Sequence, residues 1–111
     1  MNIDEEINHW NFDEIVAQTN EKWTDELDNI LISSNDTIAS KIFYTSMYHA
    51  FLQPIIFNDF NHDYRGTDKN IYNKANFTNY TVFSLWDTYR AAHPLYTILQ
   101  PQRVPDFMKS M

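Results

Sequence analysis

The chain has 111 residues with one glycine, four prolines and no cysteine; 43% of it is hydrophobic and 16% aromatic. This length suits one domain, and so little glycine, the residue that turns most easily at positive φ, excludes a many-turned β-sandwich or barrel. The net charge of −7 comes with only eight scattered Lys and Arg side chains, which excludes a phosphate-tracking surface, while the lack of cysteine excludes a disulfide scaffold, a thiolate zinc site and a thiol nucleophile.

In chain order, the first predicted element is an amphipathic helix over residues 12–31. Asn11 followed by Glu14 has the spacing of a capping box, and Asp13 and Glu14 suit the positive helix end. Phe12, Ile15, Val16, Thr19, Trp23, Leu27 and Ile30 share one face, with Glu21, Lys22, Asp25 and Asp28 on the other. Ten acids against two bases in residues 1–55 read as such solvated helix faces. A polar break at 33–36 ends on Asp36, a good N-cap, and a second helix is expected over 37–53, stopped by Pro54. Its buried stripe is Ile38, Ile42, Phe43, Met47, Phe51 and Leu52. Tyr44, Tyr48 and His49 flank the stripe, which implies cover on more than one side.

Helical periodicity then fails from 55 to 79. Residues 55–57 read as a short extended piece, and the aromatic-rich remainder as an ordered loop with one or two small hairpins. Helix is expected again over 80–99, with Phe83, Leu85, Trp86, Tyr89, Ala92, Leu95, Tyr96 and Leu99 apolar and a kink or restart at Pro94. Pro101 closes it, and residues 104–111 begin another helix. No run approaches the roughly 18 apolar residues of a membrane span, and no signal peptide opens the chain.

Candidate chemistry is sparse. Asp59, Asn61 and Asp63 have the spacing of the first ligands of a calcium loop. Tyr64 stands where that loop needs glycine and Asn70 where it needs Glu, so the reading is a carboxylate-rich turn. His9, His49, His62 and His93 form no ligand-spaced pair, and the Asn-x-Thr triplets at Asn35, Asn76 and Asn79 are as well explained by chance as by glycosylation. Trp86 and Asp87, adjacent near a helix start, can hold a sugar ring: the indole stacks on the C–H face and the carboxylate accepts hydroxyl protons. A buried Trp86, with Asp87 paired to Arg90 one turn on, is the plainer alternative. The residues alone leave both open.

Three stretches taken together carry a resemblance. Phe43-Tyr44-Thr45-Ser46-Met47-Tyr48-His49, Tyr64-Arg65-Gly66-Thr67-Asp68, and the run from Tyr80 through Ser84-Leu85-Trp86-Asp87-Thr88 to His93-Pro94-Leu95 are similar to glycoside hydrolase family 92. The likeness runs from about Glu6, through His9-Trp10 and Trp23, to the end of the chain. Members are chiefly bacterial, calcium-dependent, inverting exo-α-mannosidases. The resemblance implies a mainly α fold: a helical segment of an (α/α)6 toroid with a short irregular or hairpin-containing loop region. It makes residues 1–34 a linker helix region and 35–111 the incomplete N-terminal part of the catalytic domain.

The same resemblance maps substrate binding onto Trp86 and Asp87, with Tyr64, Arg65, Arg90 and His93 as pocket or loop support. It places the catalytic acid, the catalytic base and the calcium ligands outside this chain. The implied partners are an α-mannoside of N-glycans or mannans and the remainder of the same enzyme, with no nucleic acid and no membrane span. The implied location is periplasmic or secreted, and the isolated chain is expected to be inactive. A non-catalytic carbohydrate-binding module, or a purely structural helical domain, is the alternative. One departure bears on the shape of a turn: members usually carry Asp-Gly where this chain has Asn61-His62.

Overall fold

The computed structural model describes residues 2–7 and 9–111, about half of them helical, with small antiparallel strands. A short helix α1 (Asn2–Glu6), which the hydrophobic periodicity did not predict, precedes the first long one, α2 (Phe12–Leu27). Asn11 caps α2 by accepting from the Glu14 amide at 3.4 Å. The reciprocal half of the expected capping box is absent, because the Asn11 amide donates to His9 Nδ1 at 3.2 Å instead. The helix stops at Leu27 rather than residue 31. Asn29 Nδ2 donates to the Glu26 carbonyl at 2.9 Å, taking an acceptor that a continuing turn needs.

Helix α3 (Thr37–Phe51) starts where expected: Asp36 accepts from the amides of Ile38 and Ala39 at 2.9 and 3.0 Å. It returns beside α2, with the rings of Trp23 and Tyr48 at 4.5 Å. The Tyr44 hydroxyl bridges the connecting segment, donating to the Ile30 carbonyl and accepting from the Ile32 amide, both at 3.3 Å. The predicted stripe is only partly covered. Met47 is buried, while Ile38 and Ile42 stay 69% and 62% exposed, since α2 lies against the other side of the helix.

Strand β1 (Ile55–Ile56) pairs antiparallel with β4 (Tyr80–Thr81), Ile55 opposite Thr81 and Ile56 opposite Tyr80. Between them lies a local hairpin of β2 (Tyr64–Arg65) and β3 (Ile71–Tyr72). The Gln53–Pro54 and Thr81–Val82 peptides, which flank the β1–β4 pair, are both cis. The long helix expected over 80–99 is therefore replaced by three pieces: β4, α4 (Leu85–Thr88) and α5 (Ala92–Leu99). The reason lies far along the chain. The Tyr80 amide donates to Ser110 Oγ at 2.9 Å and the Thr78 amide to Asp106 Oδ2 at 3.0 Å, so helix α6 (Val104–Ser110) holds this stretch extended. Pro94 sits in the first turn of α5, where its missing N–H removes no intrahelical bond.

The core gathers around Phe107, 3% exposed, whose ring meets Tyr80 edge-on at 4.6 Å and Tyr96 at 5.6 Å. Burial pushes the Tyr80 and Tyr96 hydroxyls above their ordinary value of 10.0. Tyr96 donates a shared bond to the carbonyls of Ala50 and Gln53 at 2.9 and 2.8 Å, joining α5 to the end of α3. Glu26 of α2 accepts from Arg103 and from Gln100, tying the first long helix to the α5–α6 turn. Five hydrophobic side chains are buried among the described residues. The surface of 8810 Å² compares with about 6,450 Å² for a compact monomer of this mass. The radius of gyration of 16.5 Å compares with about 13 Å. Within this chain, then, the apolar helix faces lack cover.

Candidate functional site

Helix α4 is one turn built around Ser84. Its carbonyl accepts from the amides of Asp87 and Thr88, both at 3.1 Å, and from Thr88 Oγ1 at 2.9 Å. Its hydroxyl donates to Asp87 Oδ2 at 2.6 Å, which fixes the carboxylate rotamer and leaves Oδ1 without a partner among the described residues. Trp86, between these anchors, is 88% exposed. Arg90 turns to its neighbour, with Nε donating to the Tyr89 hydroxyl at 2.8 Å. His93 is half-buried, its ring parallel to Phe83 at 6.3 Å and edge-on to Tyr96 at 5.7 Å, so it braces α5 against the core.

The hairpin carrying Tyr64 and Arg65 turns through Gly66, Thr67, Asp68 and Lys69. The Lys69 amide closes on the Gly66 carbonyl at 3.0 Å, and Lys69 itself has φ 70°. Asp68 organises the turn, accepting from the Asn70 amide at 3.0 Å, Asn70 Nδ2 at 2.7 Å and the Tyr72 hydroxyl at 2.9 Å. These donors, the Asn70 amide first, hold its carboxyl below the usual 3.8, and the same contact pushes Tyr72 above 10.0. Gly66 is required by proximity: a Cβ there would lie 2.8 Å from the Tyr72 ring and 2.6 Å from Asp68 Oδ1. Tyr72 in turn stacks on Tyr64 at 5.2 Å and 14°.

In the preceding turn, at Asn61-His62, His62 adopts φ 64°, the left-handed conformation that glycine reaches without cost. The acidic turn is held by its own bonds. Asn61 bridges to the amide and carboxylate of Asp63, and Asp63 Oδ1 accepts from the Lys74 amide at 2.8 Å. Among the described residues no three His, Asp or Glu side chains gather as a metal cage.

A cleft of about 610 Å³ runs between the hairpin and the start of α4, lined by Tyr64, Arg65, Tyr72, Asn79, Phe83 and Leu85 among others. It brings together two of the sequence-nominated residues, Tyr64 and Arg65. Trp86, Asp87, Arg90 and His93 do not line it; Trp86 and Asp87 follow directly on Leu85 at its edge. Sequence reasoning missed the Ser84–Asp87 bond, although Ser-x-x-Asp at a helix start is a capping signal. It also missed Asp68 as the organiser of the hairpin, where an Asp two residues before Asn70 is a legible turn signal.

The model of the glycosyl hydrolase family 92 catalytic domain matches residues 1–111. The chain belongs to that family. Among solved structures, the family GH92 alpha-mannosidase of Bacteroides thetaiotaomicron is 44% identical over 96% of this chain, with a TM-score of 0.86. Its complex with mannoimidazole matches equally well. The family 92 glycosyl hydrolase ccman5 shares the fold at a TM-score of 0.91 and 24% identity, over 98% of this chain. No curated protein matches. This family 92 chain spans about one-seventh of the structures it resembles, 14% and 15% of their lengths.

Proposed function

We propose that this chain forms one wall of the terminal-sugar pocket in an inverting exo-α-mannosidase acting on N-glycans or mannans. In this reading, residues 35–111 open an (α/α)6 catalytic toroid and residues 1–34 link it to the preceding domain. The observation that carries the proposal is the open indole of Trp86 beside a carboxylate oriented by Ser84. An aromatic face and a fixed acceptor meet the two chemical faces of a pyranose, its apolar C–H side and its hydroxyls. Family membership, and a relative that binds mannoimidazole, support the choice of mannose.

Inverting hydrolysis needs a carboxylic acid at the leaving oxygen and a carboxylate, roughly 6.5–9.5 Å away, activating water on the opposite face. This chain contributes positioning, and the acid and base belong to other parts of the enzyme. Calcium, the family's expected metal, would take its ligands from elsewhere in the enzyme and would supply contacts to sugar hydroxyls. A periplasmic or secreted location accords with a glycan substrate.

The test places residues 1–111 into the corresponding stretch of the Bacteroides relative and measures mannose release. Trp86→Ala and Asp87→Asn are each expected to lower kcat/KM roughly ten- to a hundredfold, the worth of a stacked ring or a charged hydrogen bond. An inactive transplant, unchanged kcat/KM in both variants, or mannose release by the 111-residue chain alone would overturn the proposal.

A further inference from the structure

We infer that Glu26, near the end of α2, is a positioning residue for the sugar site: through Arg103 and Gln100 it fixes helix α6, which holds the stretch leading into Ser84 and Asp87. This rests on the mannosidase reading above. Glu26 is out of place by local rules. It stands in the last turn of α2, at the negative helix end, where a carboxylate is disfavoured. It is half-buried like Trp23 and Leu27, whereas Asp13, Glu14, Glu21 and Asp25 on the same helix are exposed. A residue that breaks a local rule needs compensation elsewhere, and Glu26 has two partners. One carboxylate oxygen accepts from Arg103 Nη2 and the other from Gln100 Nε2 at 3.0 Å, Gln100 being 3% exposed. Packing does not replace these bonds, since a cavity of about 310 Å³ lies here, lined by Trp23, Phe51, Ile56 and Tyr80 among others.

Arg103 is also the N-cap of α6: its carbonyl accepts from the amides of Asp106 and Phe107, both at 3.0 Å. Helix α6 then grips residues 78–83. Asp106 Oδ2 accepts from the Thr78 amide and Ser110 Oγ from the Tyr80 amide, while the Phe107 ring meets Tyr80 at 4.6 Å and Phe83 at 6.2 Å. Phe83 is joined directly to Ser84, whose hydroxyl sets the Asp87 carboxylate. Freeing Arg103 therefore loosens the start of α6, and with it the extended backbone that decides where Ser84 opens α4. A misplacement of about 1 Å can cost roughly a hundredfold in rate, so a side chain with no place in the pocket can still set its strength. The consequence is that α2, outside the pocket, helps to fix the geometry of the terminal-sugar wall.

Two measurements test this. In the 111-residue chain, Glu26→Gln keeps the shape of the side chain and removes its charge. Exchange of the Thr78 and Tyr80 amides should quicken roughly five- to tenfold, the effect of a charged hydrogen bond reduced by partial exposure. The Asn70 amide, held by Asp68 in the hairpin, should not change. Exchanging the charges, Glu26→Arg with Arg103→Glu, should restore slow exchange. The new charges suit the two helix ends, and the Gln100 amide can present its oxygen in place of Nε2. In the transplant of residues 1–111 into the Bacteroides enzyme, Glu26→Gln should weaken binding of mannoimidazole by the folded protein roughly tenfold. Added to Asp87→Asn it should cost no more than about twofold, because Glu26 acts through Asp87. Unchanged exchange at Thr78 and Tyr80, no recovery on charge exchange, or full additivity with Asp87→Asn would overturn the inference. If Glu26→Gln loses the near-ultraviolet signature of the parent, Arg103→Lys, which keeps the charge and gives up the planar fork, is read in the same way. Asp87→Asn that spares mannoimidazole binding would sink the terminal-sugar reading instead, while amide exchange still decides whether Glu26 fixes residues 78–83.

Discussion

Replacing His62 with glycine should stabilise its loop, and the size of the effect follows from two opposing contributions. At φ 64° an L-residue sits in the left-handed region, which costs roughly 1–2 kcal/mol relative to glycine. Glycine regains freedom in the unfolded chain, which offsets about 0.5–1 kcal/mol of that. The imidazole is exposed and makes no hydrogen bond among the described residues, so its removal adds little. The bonds that report on the loop are backbone ones: His62 N–H to the Asp59 carbonyl at 2.9 Å, and Ala75 N–H to the His62 carbonyl at 3.0 Å. The net gain is about 0.5–1 kcal/mol, and the Ala75 amide should exchange with solvent roughly two- to fivefold more slowly. Hydrogen exchange measures this opening even if the whole chain unfolds without a sharp transition. Unchanged or faster exchange at Ala75 would refute the claim that the left-handed backbone, and not the histidine side chain, decides this position.

Two further outcomes rest on single hydroxyls and carboxylates. Tyr96→Phe removes the donor shared by Ala50 and Gln53 at the end of α3. This should cost about 1–2 kcal/mol and speed exchange of the last α3 amides roughly five- to thirtyfold; a change below twofold would mean water replaces the hydroxyl fully. Asp68 has a folded-state pKa below 3.8, so its stabilisation of the hairpin is complete above 3.8 and is lost as pH falls through the folded value. Protection of the Asn70 amide should fall in that acid window and not in Asp68→Asn, and a variant with the parent's pH profile would exclude Asp68 as the cause.

Short-range signals carried much of the fold. Asp36 before Thr37, Pro54 after the second helix and the extended reading of 55–57 all correspond to observed features, because each acts on the backbone within a few residues. The error at 80–84 has the opposite origin. Tyr80, Phe83 and Leu85 fit a helical pattern, yet the Tyr80 amide is taken by Ser110, thirty residues on. The exposed Ile38 and Ile42 have the same lesson: amphipathicity marks a face that seeks cover, without saying what supplies it.

At the candidate site, residue types were legible and their grouping was not. Family 92 membership, the helix starts at Phe12 and Thr37 and the Trp86-Asp87 pair could be read from the amino-acid order, since each rests on adjacent or regularly spaced residues. Tertiary structure decided that Trp86 faces outward with Asp87 held by Ser84, and that His93 braces the core. It also decided that Tyr64 and Arg65 share a cleft with Leu85, some twenty residues away. Turn chemistry and capping are settled between near neighbours, whereas a cleft depends on long-range pairing such as Ile56 with Tyr80. Local spacing does not encode such pairings, because their free energy comes from burial that exists only once the distant segments meet.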